Sequence, residues 1–200
     1  MADVKLTKNE LKRQNDMLKR FKRYLPTLQL KKQQLQMVIR QVEHQKQEVA
    51  KRREELSRNL EPWIAVFAEN LHIERLLTVE RLVTETGNIA GIDIPVFKEL
   101  EFAVADYDLY AYPLWVDAGI ERLKDLLSAD AEIRVLDRQL EIIGEELRIT
   151  SQRVNLFEKI KIPETQENIR KIRIYLGDQQ TAAVVRGKIS KNKIMRSESS

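Results

Sequence analysis

The stretch LQLKKQQLQMVIRQVEHQKQEVAKRREEL, residues 28–56, decides the fold because apolar residues recur in it at every seventh position. The series is Leu28, Leu35, Val42, Val49 and Leu56, and most positions between its members carry charged or amide side chains. A seven-residue apolar repeat predicts an α-helix that buries one narrow stripe against a second helix. The stretch therefore predicts one half of a coiled coil, and we call the buried stripe the seam.

The repeat extends through an N-terminal coiled-coil arm, residues 1–60. Two series displaced by three residues place these side chains on its predicted seam: Leu11, Leu18, Phe21, Leu25, Leu28, Leu35, Val42, Val49 and Leu56. Thr7 followed by Glu10 is a capping-box pattern that predicts the start of the helix. Lys32, Lys46 and Arg53 interrupt one series, but their alkyl stems can cover apolar surface while their charges reach water, so we expect the seam to continue.

A C-terminal coiled-coil arm, residues 114–185, repeats the pattern. Its predicted seam consists of Ile133, Leu136, Leu140, Ile143, Leu147, Val154 and Phe157, and the stripe resumes beyond Pro163 at Ile169, Ile172 and Leu176. Two helices that each carry one narrow apolar stripe bury those stripes most simply against each other, and a connector within one chain makes them antiparallel. The predicted fold class is mainly α, a long antiparallel two-helix coiled coil with a small β-containing head.

The head, residues 61–113, differs in composition from both arms. Its first part is compatible with a short helix, whereas the segment from about Leu82 to Ala105 alternates apolar and polar residues and predicts a β-hairpin. Gly87-Asn88 and Gly91 are its turn signals, and Pro113 is placed as the first residue of the returning helix. The remaining residues, 186–200, are predicted to form a basic C-terminal tail.

Charge is distributed unevenly along the chain, although the net charge is only +4. Residues 1–60 hold 16 Lys/Arg against 7 Asp/Glu, residues 61–147 hold 7 against 19, and residues 148–200 hold 12 against 5. Antiparallel arms would bring the two basic ends side by side. We therefore expect a positive shaft and a negative head.

Composition also limits where the protein acts. The chain has no cysteine, so disulfides and thiolate metal sites are excluded, and a cytoplasmic protein is the default expectation. The longest uncharged run is eight residues, Leu109 to Val116, against the ~20 needed to cross a bilayer, and the N-terminus lacks the apolar core of a signal peptide. We expect no direct membrane insertion and contact with a membrane only through a partner.

Residues suited to catalysis are sparse. No phosphate-binding loop, dinucleotide fingerprint or nucleophile elbow occurs. His44 and His72 are far apart in sequence and are interpreted as ordinary solvated or packed side chains. Adjacent carboxylates, at Glu54–Glu55 and Glu145–Glu146, point to different faces of a helix and are better interpreted as solvated charge than as an acid/base pair. We expect no catalytic residues, no metal site and no cofactor.

Basic runs raise nucleic-acid binding as an alternative. Lys19, Arg20, Lys22, Arg23 and the tail Arg186 to Arg196 could contact phosphates. Aromatic residues that would stack on bases are not interleaved with most of these charges, so the solvated face of a coiled coil is the favoured interpretation and no nucleic-acid partner is expected. From the residues alone, the chain is a non-enzymatic interaction protein, and a free-standing coiled-coil adaptor or scaffold remains one form of it.

Two segments resemble a known family. KLTKNELKRQNDMLKRFKRYLPTLQLKKQQL, residues 5–35, and RITSQRVNLFEKIKIPETQENIRKIRIYL, residues 148–176, closely resemble the D subunit of the V-type, also called A-type or archaeal-type, ATPase/ATP synthase. The most specific element is RVNLFEKIKIPET, where Arg153, Val154 and Asn155 match the family's Arg-Val-Asn core and Ile162 and Pro163 its Ile-Pro step. Thr7, Leu30 to Lys32 and the basic tail have counterparts too, while the head resembles the family only in position and in GIDIPV.

The resemblance implies a rotor. In that family the two arms form a central stalk inside a hexamer of alternating catalytic A and regulatory B subunits, and other parts of the protein bind a small F subunit at the head and a C/d-type subunit on the membrane ring. It implies a non-catalytic subunit on the cytoplasmic side of the membrane, in the peripheral V1/A1 sector. Its role there would be to transmit torque between ATP turnover or synthesis and the transport of hydrogen or sodium ions.

Two features acquire a hypothetical role from this resemblance. Pro26 and Pro163 remove helical hydrogen bonds and are predicted to kink the shaft, so that the subunits around it meet different surfaces. Cations near the chain ends are candidate contacts to acidic loops of the ring: Lys8, Lys12, Arg13, Arg186, Lys188, Lys191 and Lys193. Tolerated bends and solubilising charge are the corresponding alternatives.

Overall fold

A computed structural model describes the backbone of residues 4–60, 76–106, 112–113 and 115–198, and the side chains of these residues up to 195. Helix α1 spans Lys8–Leu60, and strands β1, Leu77–Ile89, and β2, Ile92–Val104, follow it. Helix α2 spans Val116–Asn155, a π-helical segment occupies Leu156–Lys161, and helix α3 spans Ile162–Glu198. The predicted fold class, two long helical arms with a small β-hairpin between them, is confirmed.

The start of α1 follows the predicted cap. The backbone N–H of Glu10 donates to the hydroxyl oxygen of Thr7 at 3.2 Å, which satisfies one of the free amides of the first helical turn. The reciprocal half of the capping box is absent, because the N–H of Thr7 donates to the carbonyl of Lys5 at 3.0 Å and the Glu10 carboxylate accepts from Gln14 at 2.8 Å. Thr7 alone therefore caps the helix.

The chain divides into two compact units. The central unit comprises residues 31–149, and the terminal unit comprises residues 1–30 with 150–200. Helix α1 contributes to both units, as does α2, while the hairpin belongs to the central unit and α3 to the terminal unit.

In the central unit, α1 and α2 pack along the predicted seam. Its core cluster consists of the buried residues Leu35, Val42, Val49, Ile94, Ala129, Leu136 and Ile143. The remaining predicted seam positions, Leu56, Ile133, Leu140 and Leu147, pack against it half-buried. Ion pairs fix the direction, since Lys31 reaches Glu146 and Arg53 reaches Asp130. Residue numbers rise along one helix as they fall along the other, so the helices are antiparallel.

The hairpin pairs β1 with β2 in antiparallel register, from Leu77 opposite Val104 to Ile89 opposite Ile92. Its register shifts twice, with one extra residue at Glu80 on β1 and one at Lys98 on β2. Each such bulge changes which face of the ribbon the following side chains occupy. The shifts explain how one ribbon can be apolar on one face near its turn and on the other face near its base.

The turn end of the hairpin folds back onto the two helices. Ile94 is only 2% exposed and belongs to the core cluster, with Ile89 and Ile92 packed against it. The side-chain amide of Gln139 on α2 donates to the carbonyl of Pro95 at 2.6 Å. A second small cluster, of Leu76, Val116 and Ile120, joins the base of the hairpin to the start of α2. The hairpin therefore lies along α2 instead of projecting beyond it.

The hairpin differs from its prediction in its start and in one of its two turn signals, while the other, Gly91, lies in the turn. Its first strand begins at Leu77, five residues before the predicted Leu82, and the turn lies at Ala90 and Gly91, whose φ angles are 54° and 78°. Both angles are in the left-handed region, which glycine tolerates and which a two-residue hairpin turn of this type requires. Gly87, predicted as a turn residue, lies within β1, where an added Cβ would come within 2.8 Å of a methyl carbon of Val96. The close approach of the Val96 side chain, and not the geometry of a turn, explains why a glycine occupies position 87.

Pro113 was predicted as the first helical residue, and this is wrong. Helix α2 begins at Val116, whose N–H donates to the carbonyl of Pro113 at 3.1 Å, so the proline precedes the helix by three residues. The predicted helix before the hairpin falls mainly on residues 61–75, which include His72 and lie outside the described residues. Residues 107–111 lie outside them too.

In the terminal unit, α1 also packs along its predicted seam. The rings of Phe21 and Phe157 stack with centroids 5.3 Å apart. Val154, Ile169 and Ile172 are buried. The other predicted seam residues of this unit, Leu11, Leu18, Leu25 and Leu28, are half-buried.

Candidate functional site

The predicted family motif contains the π-helical segment. Arg153 and Asn155 are exposed and Val154 is buried, and the π segment begins directly after Asn155. At its other end the N–H of Ile162 donates to the carbonyl of Phe157, five residues back instead of the four of an α-helix. The motif therefore encodes a local change of helix type.

Pro163 lies immediately beyond this segment, as the second residue of α3. In an α-helix its ring would collide with the carbonyl of Lys159, four residues back. A π turn is wider and pairs residues five apart, so that carbonyl is no longer held against the ring. The π segment thus accommodates the proline without ending the helical run.

Pro26 is accommodated differently. It lies inside the uninterrupted α1 and is exposed, and the nearby Thr27 hydroxyl donates to the carbonyl of Tyr24 at 2.7 Å. The carbonyl of Lys22 loses its helical donor at this point. Both predicted kink residues belong to the terminal unit.

The seven cations predicted to contact the ring are exposed. Lys8, Lys12 and Arg13 lie in the first two turns of α1, and Arg186, Lys188, Lys191 and Lys193 lie on the last third of α3. Arg13 approaches Glu10 at 3.7 Å. Within the ranges described, the other six make no ion pair, so their charges are available to a partner. The segment predicted as a basic tail, residues 186–200, is helical as far as residue 198, because α3 ends at Glu198.

The last part of α3 also exposes large apolar side chains. Val184, Val185 and Ile189 are each at least half exposed, and so are Ile194 and Met195. Single exposed apolar residues are common, but such a concentration on one helix is typical of a surface that another chain covers. Cationic and apolar side chains are thus combined in residues 184–195.

The terminal unit also carries a groove with an apolar lining. It measures about 950 Å³, and its apolar lining includes Leu6, Ile160, Pro163, Ile174 and Tyr175. Ile160 and Ile174 are more than half exposed. The surface that this unit presents is therefore more apolar than a solvated helix pair requires.

Comparison with known proteins identifies the family. The sequence profile of the ATP synthase D subunit matches residues 10–192. The V-type ATP synthase D subunit of Borreliella burgdorferi is 50% identical over 196 residues, which cover 98% of this chain and 97% of that protein. The chain belongs to the ATP synthase D-subunit family. Relatives in Chlamydia pneumoniae and Chlamydia abortus carry the same name and are 34% and 32% identical, over 96% and 98% of this chain and 94% and 95% of theirs.

The family match covers nearly all of both arms, which confirms the resemblance seen in the sequence. It also spans the hairpin, where only GIDIPV had suggested the family. In this D-subunit family member GIDIPV forms the second turn residue and the first part of β2, including the buried Ile94. Its role in this chain is to dock the hairpin onto the helices.

Ion pairs link the two helices in the central unit of this D-subunit chain. Lys46 and Arg53, two of the cations that interrupt the predicted seam, pair with Asp137 at 2.7 Å and Asp130 at 3.0 Å. The members on each helix are seven residues apart, so the pairs repeat with the heptad. Some of the positive charge of residues 1–60 and of the negative charge of residues 61–147 therefore forms ion pairs between α1 and α2. The counts of charged residues along the sequence did not reveal this pairing.

Other charged groups of this D-subunit chain pair within one helix. The Arg148 guanidinium donates to Glu145 and lowers the pKa of that carboxyl, and Arg170 does the same to Glu167. On the hairpin, hydrogen bonds to Glu101 and Glu85 raise the pKa of Arg81 and of Lys98 respectively. All of these groups are at the surface, so they fix side-chain positions more than they stabilise the fold.

The residues set aside in the sequence have structural partners in this D-subunit chain. Glu54 pairs with Arg58, Glu146 with Lys31, and the exposed His44 lies 3.7 Å from Glu48. Throughout the described ranges, no group of three or more His, Cys, Asp or Glu side chains is arranged to hold a metal ion. The helices of those same ranges include none with a stretch long and apolar enough to span a membrane.

Proposed function

We propose that this chain is the central-stalk rotor shaft of a V/A-type ATPase/ATP synthase. It transmits torque between ATP turnover in an A/B ring and proton or sodium transport by a membrane ring. The observation that carries the proposal is the end of α3, where exposed cations and exposed apolar side chains share residues 184–195 of a family member whose relatives are named as ATP synthase subunits.

The proposed partner of this end is the A/B hexamer. Apolar side chains such as Val184 and Ile189 favour a covered surface, and the nearby Lys188 and Lys191 favour an acidic one. Exposed ion pairs contribute only about 0–1 kcal/mol each, so they can form and break as the shaft turns. The cations Lys8, Lys12 and Arg13 at the start of α1 are proposed to act in the same way.

The central unit is proposed to bind the small F subunit and the C/d-type subunit that joins the membrane ring. The base of the hairpin supports this assignment, since Val79, Leu82 and Val104 are exposed there by 41–52%. Because the bulge at Glu80 shifts the register, Val79 and Leu82 face the same side of the ribbon. The nucleotide chemistry is assigned to the A/B subunits, which makes this chain a non-catalytic component of the cytoplasmic V1/A1 sector.

The two prolines are proposed to make the shaft asymmetric. Pro26 and the π segment before Pro163 both interrupt regular helical hydrogen bonding in the terminal unit. A shaft without such features would present similar surfaces to each A/B pair and transmit little torque. Replacing both prolines with alanine should leave assembly intact and lower the number of ions transported per ATP hydrolysed. Unchanged coupling would reduce both prolines to tolerated bends.

The direct test is native mass spectrometry of the full chain mixed with a purified A/B hexamer and the small F subunit. One copy per hexamer, together with altered ATPase activity, is expected. A triple variant, K188A/K191A/K193A, should bind more weakly and lose less affinity than the unaltered chain as salt rises, because fewer ionic contacts remain to be screened. A control, K19A/R20A, should bind like the unaltered chain. Absence of binding, several copies per ring or self-association of the chain would contradict the rotor and favour a free-standing coiled-coil adaptor.

A further inference from the structure

The seam of the C-terminal arm changes phase at the π segment. Thr150 and Phe157 are seven residues apart on one series, and the next members of that series are Glu164 and Lys171. Both of these are exposed. The buried positions are instead their next neighbours, Thr165 at 4% exposure and Ile172 at 0%. One residue has been added to the heptad repeat between Phe157 and Thr165.

An added residue would normally turn a seam away from its partner. Each residue advances an α-helix by about 100°, so one extra residue would rotate every later seam position by that angle. A π turn holds one more residue than an α turn, because its hydrogen bonds join residues five apart. The N–H of Ile162 that donates to Phe157 is such a bond. The π segment therefore absorbs the added residue and keeps Ile169 and Ile172 buried.

Fully buried residues lie on both sides of this segment and none lies within it, where Phe157 is half-buried and stacks on Phe21. Val154 is buried before it, and Thr165 and Ile169 are buried after it. None of the residues Leu156–Lys161 is buried, and Leu156 and Ile160 are 41% and 53% exposed. A twist applied along this helix would meet least resistance from packing in these six residues.

Pro163 fixes the position of the π segment. It has no N–H, so it cannot form the backbone hydrogen bond that would continue the ladder, and an α turn at this point would press its ring against Lys159. Two residues beyond the proline, the Thr165 hydroxyl donates to the carbonyl of Lys161 at 2.6 Å. This hydrogen bond ties the start of α3 to the last residue of the π segment. The π turn is therefore held in one place and cannot move along the helix in the C-terminal direction.

We propose that Leu156–Lys161 is a torsional joint, in which twist of the terminal unit is concentrated while the buried seam on either side stays packed. The purpose of the joint rests on the proposed rotor function, where compliance would let the shaft store twist between steps. Its existence does not, because the local opening of the segment is a property of the isolated chain.

Amide hydrogen exchange on the full chain tests the joint. Amides of residues 157–162 are expected to exchange at least about tenfold faster than amides of 150–155 and 165–172. A variant that deletes Lys159 and carries Pro163→Ala restores an unbroken heptad and allows a continuous α-helix. Protection of the segment should then rise to that of its flanks. Equal protection in the unaltered chain, or no rise in the variant, would overturn the proposal.

Two further variants keep the test decisive. Pro163→Ala alone retains every residue and should give a partial rise in protection, so a failure of the deletion to fold would not end the test. Deletion of the exposed Arg134, in the part of α2 that has no π turn, should lower the Tm because Leu136 and Ile143 leave the seam. A deletion at Lys159 that lowers the Tm as much as the one at Arg134 would contradict the added-residue account.

The use of the joint is tested in the assembled complex. The chain has no cysteine, so a Thr86→Cys substitution on the exposed part of β1 offers one attachment point for a bead in single-molecule rotation. Angular fluctuations during pauses should narrow in the variant with the continuous helix. Unchanged fluctuations alongside the expected exchange result would refute storage of twist there, whereas failure of the unaltered chain to join the hexamer would refute the rotor itself.

Discussion

At the scale of single residues, Ile94 shows how one side chain places an entire hairpin. It is 2% exposed, although it lies on a two-stranded ribbon that is otherwise largely at the surface. An isolated two-stranded ribbon is marginally stable in water, so packing against α1 and α2 is what holds it. The hydrogen bond from the Gln139 side-chain amide to the carbonyl of Pro95 is directional and so helps to orient the hairpin on α2.

Ile94→Ala should therefore destabilise the protein by about 2–5 kcal/mol, the usual range for removing most of a buried isoleucine side chain. Urea unfolding followed by circular dichroism measures the change. Val96→Ala is the matched control, since Val96 is on the same strand but 40% exposed, and it should cost much less. Equal losses for the two variants would mean that the hairpin is not held by its turn end.

At the scale of elements, the pairing of α1 with α2 depends on an apolar stripe together with a repeating ion pair. Lys46 and Asp137 are 2.7 Å apart, with side chains 37% and 50% exposed. A pair this open is screened by solvent and contributes little to stability, but its position selects one alignment of the two helices.

A double-mutant cycle with Lys46→Ala and Asp137→Ala should give a coupling energy of about 0.2–1 kcal/mol at low salt, falling as salt is added. Thermal or urea unfolding of the four proteins supplies the energies. The same cycle with Lys51→Ala in place of Lys46→Ala should give none, because Lys51 makes no such pair. A coupling that does not respond to salt would contradict an ionic contact.

Pro26 offers a test of the first arm as an element. Because it lies within the continuous α1 and is exposed, Pro26→Ala restores a helical hydrogen bond without altering the core, and it should stabilise the chain by up to about 3 kcal/mol. Urea unfolding measures the gain. Gln29→Ala, at a nearby exposed position, should change stability by less than about 0.5 kcal/mol. A loss of stability on removing the proline would show that the helix depends on it.

At the scale of the whole molecule, surface carboxylates link stability to pH. In the folded chain Arg148 and Arg170 lower the pKa of Glu145 and Glu167, so both groups favour the folded state when ionised. Their contribution is complete above the unfolded glutamate pKa of about 4.3 and is lost as pH falls through the lower folded values.

The Tm should therefore decline as the pH falls below the unfolded glutamate pKa of about 4.3. A double variant, E145Q/E167Q, should show a shallower decline. Scanning calorimetry between neutral and acidic pH compares the two curves. High salt should bring them closer by screening the pairs. Parallel curves would mean that these two carboxyls do not contribute to the acid response.

Most of the fold could be predicted from the sequence because its dominant signal is local. A heptad repeat specifies which face of a helix is buried whatever the partner, and Thr7 specifies where the helix starts. The hairpin was predicted too, but its turn was placed at Gly87-Asn88 as well as at Gly91. Glycine is used for two different reasons in that segment, and only the approach of Val96 separates them. The cations proposed as ring contacts were found by composition, and their function stays a prediction.

The change of phase after Phe157 was visible in the sequence, as apolar residues at 169, 172 and 176 that depart by one position from the earlier series. What the sequence determined by itself was therefore the helices, their apolar faces, the hairpin and the family. Only the tertiary structure decided that the added residue is absorbed in a π turn, that Ile94 docks the hairpin and that Lys46 meets Asp137. Periodicity is a property of one segment, whereas these features depend on which surfaces two segments bring together.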